Sequence, residues 1–282
     1  VLCNDVSEGP DFEALGKRGH RIVSIWHVDV VEFFTKFYLR GVLRPQTAAR
    51  FHHWPLPDVL KLVFRKQYDC VRHSSRIVVP SVPMRDMILR CYPWCDPSKI
   101  VVLPWGNLAV RPAVAPYHAK DDEFIIMTLS RLSPEKGLER LLRAMRFVTG
   151  NVRVWICGAP AYMRGKRYEK KLRRMADERV EIAGHLTGAE KAARLLRADL
   201  FVSPSKHESY GLAIAEAQAA GCGIISHTHY GATGTVVDCS YARALGAAIN
   251  DAAHAGRVRK VNLVTPEKSD AAQKLADLVG QV

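Results

Sequence analysis

Two carboxylates eight positions apart, Glu208 and Glu216, offer the most direct chemistry in this chain. They lie in Ser203-Pro-Ser-Lys-His-Glu-Ser-Tyr-Gly-Leu-Ala-Ile-Ala-Glu-Ala-Gln-Ala-Ala-Gly221, which runs from a polar loop into an Ala-rich segment with helical character. One acid in a loop and a second two turns into a helix can hold two different hydroxyl-bearing groups of an elongated ligand. Amides near Ser209, Tyr210 and Gly211 would face the same ligand, and a helix amino terminus favours an anion. A second candidate set is cationic. In Ser130-Arg-Leu-Ser-Pro-Glu-Lys-Gly137, Arg131 and Lys136 flank a turn built on Pro134 and closed by Gly137. A forked guanidinium, a point-charge ammonium and helix-end amides together suit a pyrophosphate. The plainer alternatives are a helix-terminal charge for Glu208, a solvated position for Glu216 and ordinary surface cations at 131 and 136.

Groups so placed need strands that end beside them. Residues 198–202 form a short apolar run before the first acid, and Gly223-Ile-Ile225 forms another after the helix. A strand, loop, helix and strand in that order put the loop at the carboxyl end of a parallel sheet, where open α/β folds bind ligands. The cationic turn has the same setting. Phe124-Ile-Ile-Met-Thr-Leu129 reads as a strand before it, and Leu138, Leu141, Leu142 and Met145 recur at helical spacing after it. Between the two motifs, Val152-Arg-Val-Trp-Ile-Cys-Gly158 reads as a strand ending in Gly. Residues 161–179 read as a strongly basic helix, Val180-Glu-Ile-Ala-Gly184 as a strand, and 189–197 as a helix. Four strand-helix repeats between 124 and 225 predict a Rossmann-like domain. The basic stretch reads most simply as a solvated helix face, and alternatively as a patch for an anionic membrane or acceptor.

The amino-terminal third offers weaker patterns. Val1-Leu-Cys-Asn4 and Arg21-Ile-Val-Ser-Ile-Trp-His-Val28 read as strands, and Val30, Val31, Phe33, Phe34 and Phe37 mark an apolar helix within 30–45. Ser75-Arg-Ile-Val-Val-Pro-Ser81 reads as a strand and turn, followed by a helix over 83–92. Lys99-Ile-Val-Val-Leu-Pro-Trp-Gly-Asn107 reads as a short strand and turn. His27 and Asp29 fall at a strand end, the usual place for a ligand contact, although a lone His there is often structural.

The string around Glu208 and Glu216 resembles the E-x7-E signature of retaining GT-B glycosyltransferases, particularly glycosyltransferase family 4, with Tyr210 where Phe is commoner. The string 130–137 resembles the Gly-Arg-Leu-x-x-x-Lys-Gly segment of the same enzymes, with Ser130 in place of Gly. Residues 99–107 resemble the strand and turn that join the two GT-B domains. This resemblance implies an α/β fold of two Rossmann-like domains with a cleft between them: 1–107 on the acceptor side and 108–282 for the nucleotide sugar. It implies that Arg131 and Lys136 bind the donor diphosphate, that Glu208 contacts the donor sugar and that Glu216 contacts the ribose. It places the nucleobase near Gly184-His185-Leu186, adds Gly158 and Leu212 to the substrate-binding set, and sets His27 beside the donor sugar. The implied reaction is front-face, retaining transfer from a nucleotide-diphosphate sugar to an acceptor hydroxyl on a glycan, lipid or small molecule. It needs no metal and no cofactor.

The chain also departs from that pattern. First domains of this kind run to roughly 150–200 residues, in line with common domain sizes, so 1–107 is expected to be incomplete. The opening strand, its Gly-rich loop and the following helix are expected to be missing. Interruptions are expected near 7–12 and 226–234, and residues 241–282 give two helices with no aromatic-rich helix crossing back to the first domain. A GT-B remnant that binds nucleotide without turnover is the alternative this raises.

Composition narrows the remaining classes. A formal net charge of +13 raises nucleic-acid binding as a rival, but no zinc-finger spacing, helix-turn-helix signature or aromatic-basic strand motif accompanies it. There is no P-loop, and Gly221-x-Gly223 follows a helix, the wrong side for a dinucleotide fingerprint. No Asp-x-Asp occurs, which disfavours the metal-dependent GT-A type. The seven cysteines lack a paired framework, and Cys91 and Cys95 lack a matching His or Cys pair for zinc. No apolar run reaches about eighteen residues. The expectation is a cytoplasmic enzyme with reduced thiols and peripheral contact, at most, with the inner face of a membrane.

Overall fold

In a computed structural model, the chain forms two compact units, residues 1–106 with 270–282, and residues 107–269. The described residues are all of 1–282 except 5, 7–8, 38, 40–41, 54–57, 106–122, 163–164, 228–233, 257–270 and 281–282. The expected interruptions therefore fall partly outside them, as do the turn at Gly106-Asn107 and the boundary between the two predicted domains.

The first unit carries a parallel sheet of four strands in sequential order: β1 (Leu2–Cys3), β2 (Val23–Ile25), β3 (Arg76–Val79) and β4 (Ile100–Val102). Helix α1 (Phe12–Lys17) joins β1 to β2, although the sequence reading placed no helix there. Asp11 caps it by accepting from the Ala14 N–H, and Phe12 is buried beneath it. The apolar stretch after β2 forms α2 (Val30–Phe37) and is followed by a separate short helix, α3 (Pro45–Ala48). Proline opens α3 because its missing N–H is one the first turn never uses. Helices α4 (Asp58–His73) and α5 (Val82–Cys91) complete the connections around β3.

The second unit holds the predicted repeats. Its elements are β5 (Phe124–Leu129), α6 (Leu138–Ala144), β6 (Val152–Cys157), α7 (Gly165–Met175), β7 (Val180–Gly184), α8 (Gly188–Arg197), β8 (Leu200–Ser203), α9 (Leu212–Ala219), β9 (Gly223–Ser226), β10 (Thr235–Val236) and α10 (Ala242–Ala255). All strand pairs are parallel, in the order β10-β9-β8-β5-β6-β7. Numbered from the first strand of this sheet, that is the 3-2-1-4-5-6 order of a doubly wound fold, with its topological switch between β5 and β8.

Strand alternation divides the apolar residues between two layers. Ile126, Val154, Ile156, Leu200 and Val202 face a core closed by Leu141 and Leu142 of α6, Tyr168 and Leu172 of α7, and Leu245 and Ile249 of α10. Ile125, Met127, Trp155 and Phe201 face the other side, against Leu195 of α8 and Ile214 and Ala217 of α9. Burial on both faces explains why these strands read as near-continuous apolar runs.

The last helix, α11 (Ala271–Gly280), belongs to the first unit. Its Ala271, Leu275 and Leu278, spaced four and three apart, pack against Val23, Ile25, Val78 and Leu103. The sequence reading assigned these residues to the second domain and sought an aromatic-rich helix crossing back. The helix that returns is short and uses Ala and Leu. All seven cysteines are buried and free of disulfides.

Candidate functional site

The loops after β5 and β8 leave the sheet side by side because their strands are neighbours, with Met127 level with Phe201. Hydrogen bonds to backbone carbonyls then hold the loops together. The Lys206 N–H donates to the Glu135 carbonyl at 2.8 Å, and Arg140 reaches the Pro204 carbonyl at 3.3 Å. Gly137, at φ 62°, approaches the Pro204 carbonyl so closely that a Cβ would lie 2.4 Å from its oxygen. Only glycine fits both that conformation and that gap.

This arrangement brings two of the predicted residues together. Lys136 Nζ donates to Glu208 Oε1 at 2.6 Å, with both side chains mostly buried. A cation on one loop and an acid on the other thus meet at the switch point, where an α/β sheet presents its crevice. Arg131, on the same loop as Lys136, is 71% exposed, and among the described residues its side chain makes only a long contact to Glu135, at 3.9 Å. Ser133 holds the same Glu135 carboxylate at 2.5 Å.

Glu216 is buried, in contrast to the solvated alternative, and Lys191 of α8 donates to its Oε1 at 2.8 Å. Sequence reasoning missed Lys191. No local spacing links positions 25 residues apart, and only the docking of α8 beside α9 reveals the pair. Gly211, at φ 84°, starts α9 in the left-handed region. Ser209 and Tyr210 before it are half-buried, and Leu212 after it is exposed.

The remaining predicted residues lie farther along the sheet or in the other unit. Gly158 ends β6 at φ 144°, and a Cβ there would sit 1.7 Å from the Ser130 carbonyl oxygen, so it is the residue that lets the β5 and β6 ends close up. Its N–H donates to the Gly184 carbonyl at 2.6 Å. His185 is exposed after β7, two strands from β5, and the Leu186 side chain is buried in the core against α8 and α9. His27 is exposed at the end of β2, with Nε2 3.1 Å from Asn4 Oδ1 and its ring 5.3 Å from that of Trp105. Asp29, expected to face a ligand beside His27, is instead fully buried. Its Oδ1 accepts from the Glu32 N–H at 2.8 Å and from the Gln67 amide at 3.1 Å. Burial raises its pKa, and those hydrogen bonds offset only part of the effect. Among the described residues no group of three or more His, Cys, Asp or Glu could hold a metal ion, and no helix is long and apolar enough to cross a membrane.

Comparison with known proteins agrees with this geometry. The chain is 33% identical over 143 residues to the D-inositol 3-phosphate glycosyltransferase of Mycobacterium tuberculosis (strain H37Rv), covering 46% of this chain and 29% of that protein. The Mycobacterium bovis (strain AF2122/97) counterpart matches equally. This match thus spans less than a third of the length of these curated relatives. Among solved structures, Anabaena Alr3699/HepE in complex with UDP-glucose superposes with a TM-score of 0.70 at 16% identity, over 96% of this chain and 75% of that one. Sucrose-phosphate synthase from Thermosynechococcus elongatus gives 0.69 at 20% identity, over 99% and 72%. The fold is therefore GT-B, two Rossmann-like units of parallel sheet. The pattern of the family described as glycosyl transferases group 1 covers residues 112–274, more than half of the chain, including the loops after β5 and β8. This chain is a member of the group 1 glycosyl transferases.

Proposed function

We propose that this protein is a retaining glycosyltransferase that moves a sugar from a nucleotide-diphosphate sugar to an acceptor hydroxyl without a metal. The observation that carries this reading is the Lys136–Glu208 pair at the switch point of the second sheet. A diphosphate entering there would meet the Lys136 ammonium, the exposed Arg131 guanidinium and the amides at the start of α9. Breaking the glycosidic bond builds negative charge on the diphosphate, and fixed cations and amides stabilise it without reorganising. Once Lys136 turns to the phosphate, the Glu208 carboxylate is released to accept hydrogen bonds from the sugar hydroxyls. Glu216, oriented by Lys191, serves the ribose. The acceptor is a glycan, lipid or small molecule, and contact with an anionic membrane is part of the same reading.

The test is hydrolysis and transfer with a panel of UDP-, GDP-, ADP- and dTDP-sugars, run in EDTA. UDP-glucose heads the panel because a structurally similar protein has been crystallised with it. Turnover of one donor in EDTA supports the reading. Turnover that returns only with Mg²⁺ or Mn²⁺ overturns the metal-free mechanism. Nucleotide binding with no turnover of any donor would instead identify a binding remnant.

A further inference from the structure

The two helical layers of the second unit differ sharply in what their cations do. On α8, every Lys and Arg is engaged by an acid: Lys191 by Glu216, Arg194 by Glu181 and Arg197 by Asp199. On the opposite layer, α7 has the sequence Gly-Lys-Arg-Tyr-Glu-Lys-Lys-Leu-Arg-Arg-Met, with six cations and one acid. Its Gly165, Tyr168 and Leu172 are buried in the core, so Lys166, Arg167, Lys170, Lys171, Arg173 and Arg174 all stand exposed on the outer side. Glu169 answers Arg173 alone, at 2.7 Å. Among the described residues no acid bridges Lys166, Arg167, Lys170, Lys171 or Arg174.

The same layer extends this charge sideways. Helix α6 packs between α7 and α10 and adds exposed Arg143. Arg146 and Arg243, also exposed, each place a guanidinium 5.0 Å from the Phe147 ring centroid. The acids nearby are few. Asp177 is held by Arg179 at 2.7 Å and Glu139 is buried against Tyr168 and Lys206, which leaves Glu178, Asp251 and, just before α10, Asp238 exposed. Tyr162, three residues before α7, is fully exposed.

We infer that the outer face of α7, α6 and α10 is a docking surface for an anionic lipid bilayer. The helices lie side by side in one layer over the sheet, so their cations spread over a broad face and do not line a groove. A planar sheet of acidic headgroups complements such a face. Arginine and lysine attract it electrostatically, and an exposed tyrosine is at home at the polar–apolar boundary. A nucleic acid would call for stacking rings or a cleft that tracks the backbone. The only tyrosine of α7, Tyr168, is instead turned into the core. The inference deepens the membrane-contact part of the proposed function and is independent of its donor chemistry.

The experiment is flotation of the full chain with vesicles of phosphatidylcholine alone and of phosphatidylcholine with about one third phosphatidylglycerol, at low and high salt. Binding is expected only to the anionic vesicles, with loss at high salt. The triple variant Lys166→Glu, Lys170→Glu, Arg174→Glu is expected to reduce partitioning at least about tenfold, while nucleoside diphosphate affinity and the melting temperature stay at parent values. Equal binding to neutral vesicles, or unchanged binding of the triple variant, overturns the inference. So does an oligonucleotide that binds this face more tightly than the vesicles do. If the variant loses nucleotide affinity or melts early, the single reversal Arg174→Glu, at the solvent-facing end of the helix, is scored by the same criteria.

Discussion

Asp29 of the first unit and the acids of the candidate site in the second are held in opposite ways. In the first, Asp29 is wholly enclosed and receives only neutral donors, the Glu32 N–H and the Gln67 amide. In the second, four enclosed acids each come with a cation: Glu208 with Lys136, Glu216 with Lys191, Asp199 with Arg197 and Glu139 with Lys206. Glu139 shows the consequence. Burial alone would raise its pKa, yet the Tyr168 hydroxyl, its own backbone N–H and the nearby lysines hold it below the usual carboxylate range. A carboxylate fed by neutral donors at a helix start is a structural cap. A carboxylate with a mobile lysine can exchange that lysine for ligand, and the lysine can then serve an anion. The difference separates an acid that fixes the chain from one available to chemistry.

The largest expected effect comes from breaking the exchangeable pair on its cationic side. Lys136→Ala removes a charge-assisted contact to the donor diphosphate of about 1.5–3 kcal/mol. Calorimetry should then show nucleoside diphosphate affinity falling by about tenfold or more, with a greater loss in transfer rate. Arg131→Ala should act in the same direction. Unchanged affinity in both variants would sink the diphosphate assignment.

A second pair of variants separates the two acids. Glu216→Gln is expected to weaken binding of the free nucleotide, because the ribose is present in it. Glu208→Gln is expected to leave that affinity nearly intact and to lower sugar transfer, because its partner is the sugar. Equal losses of nucleotide affinity would mean that the acids do not divide the ligand this way.

The smallest effect concerns the acid without a cation. The folded-state pKa of Asp29 lies above its unfolded value. Its favourable contribution is therefore complete below the unfolded pKa and is lost as pH rises through the folded one. Asp29→Asn keeps the Oδ1 acceptor and cannot ionise. In chemical denaturation the variant should gain on the parent as pH rises above the ordinary carboxylate range. A gap that shrinks with rising pH would show that the carboxylate is favourably charged after all.

Much of the second unit was legible in the sequence because its strands are buried on both faces. Runs such as 124–129 and 152–157 carry that burial in their letters, and the turns between them carry Gly at the points of closest approach. The acids and the cationic turn were legible for the same reason: each motif is contiguous. What the sequence withheld depends on which strand lies beside which. Lys136 meets Glu208 across 72 positions because β8 lies next to β5, and Lys191 meets Glu216 only once α8 packs beside α9. In the first unit, α1 escaped notice because it is six residues long and buries a single Phe. The returning helix α11 carries aliphatic residues, Ala and Leu, whose partners Val23, Ile25, Val78 and Leu103 lie far earlier in the chain.

Beside the Lys136–Glu208 pair, main-chain atoms also hold the β5 and β8 loops together: an amide of 206 donates to the carbonyl of 135, and Gly137, without a side chain, lies against the carbonyl of 204. The main-chain part of this clasp is indifferent to the side chains it carries. Residues 135, 206, 209 and 210 can exchange their side chains while the main-chain contacts beneath keep their dimensions. An engineer who seeks a different donor could therefore randomise Glu135, Lys206, Ser209 and Tyr210 as one library, holding Gly137 and Pro204 constant as the hinge pin of the whole set.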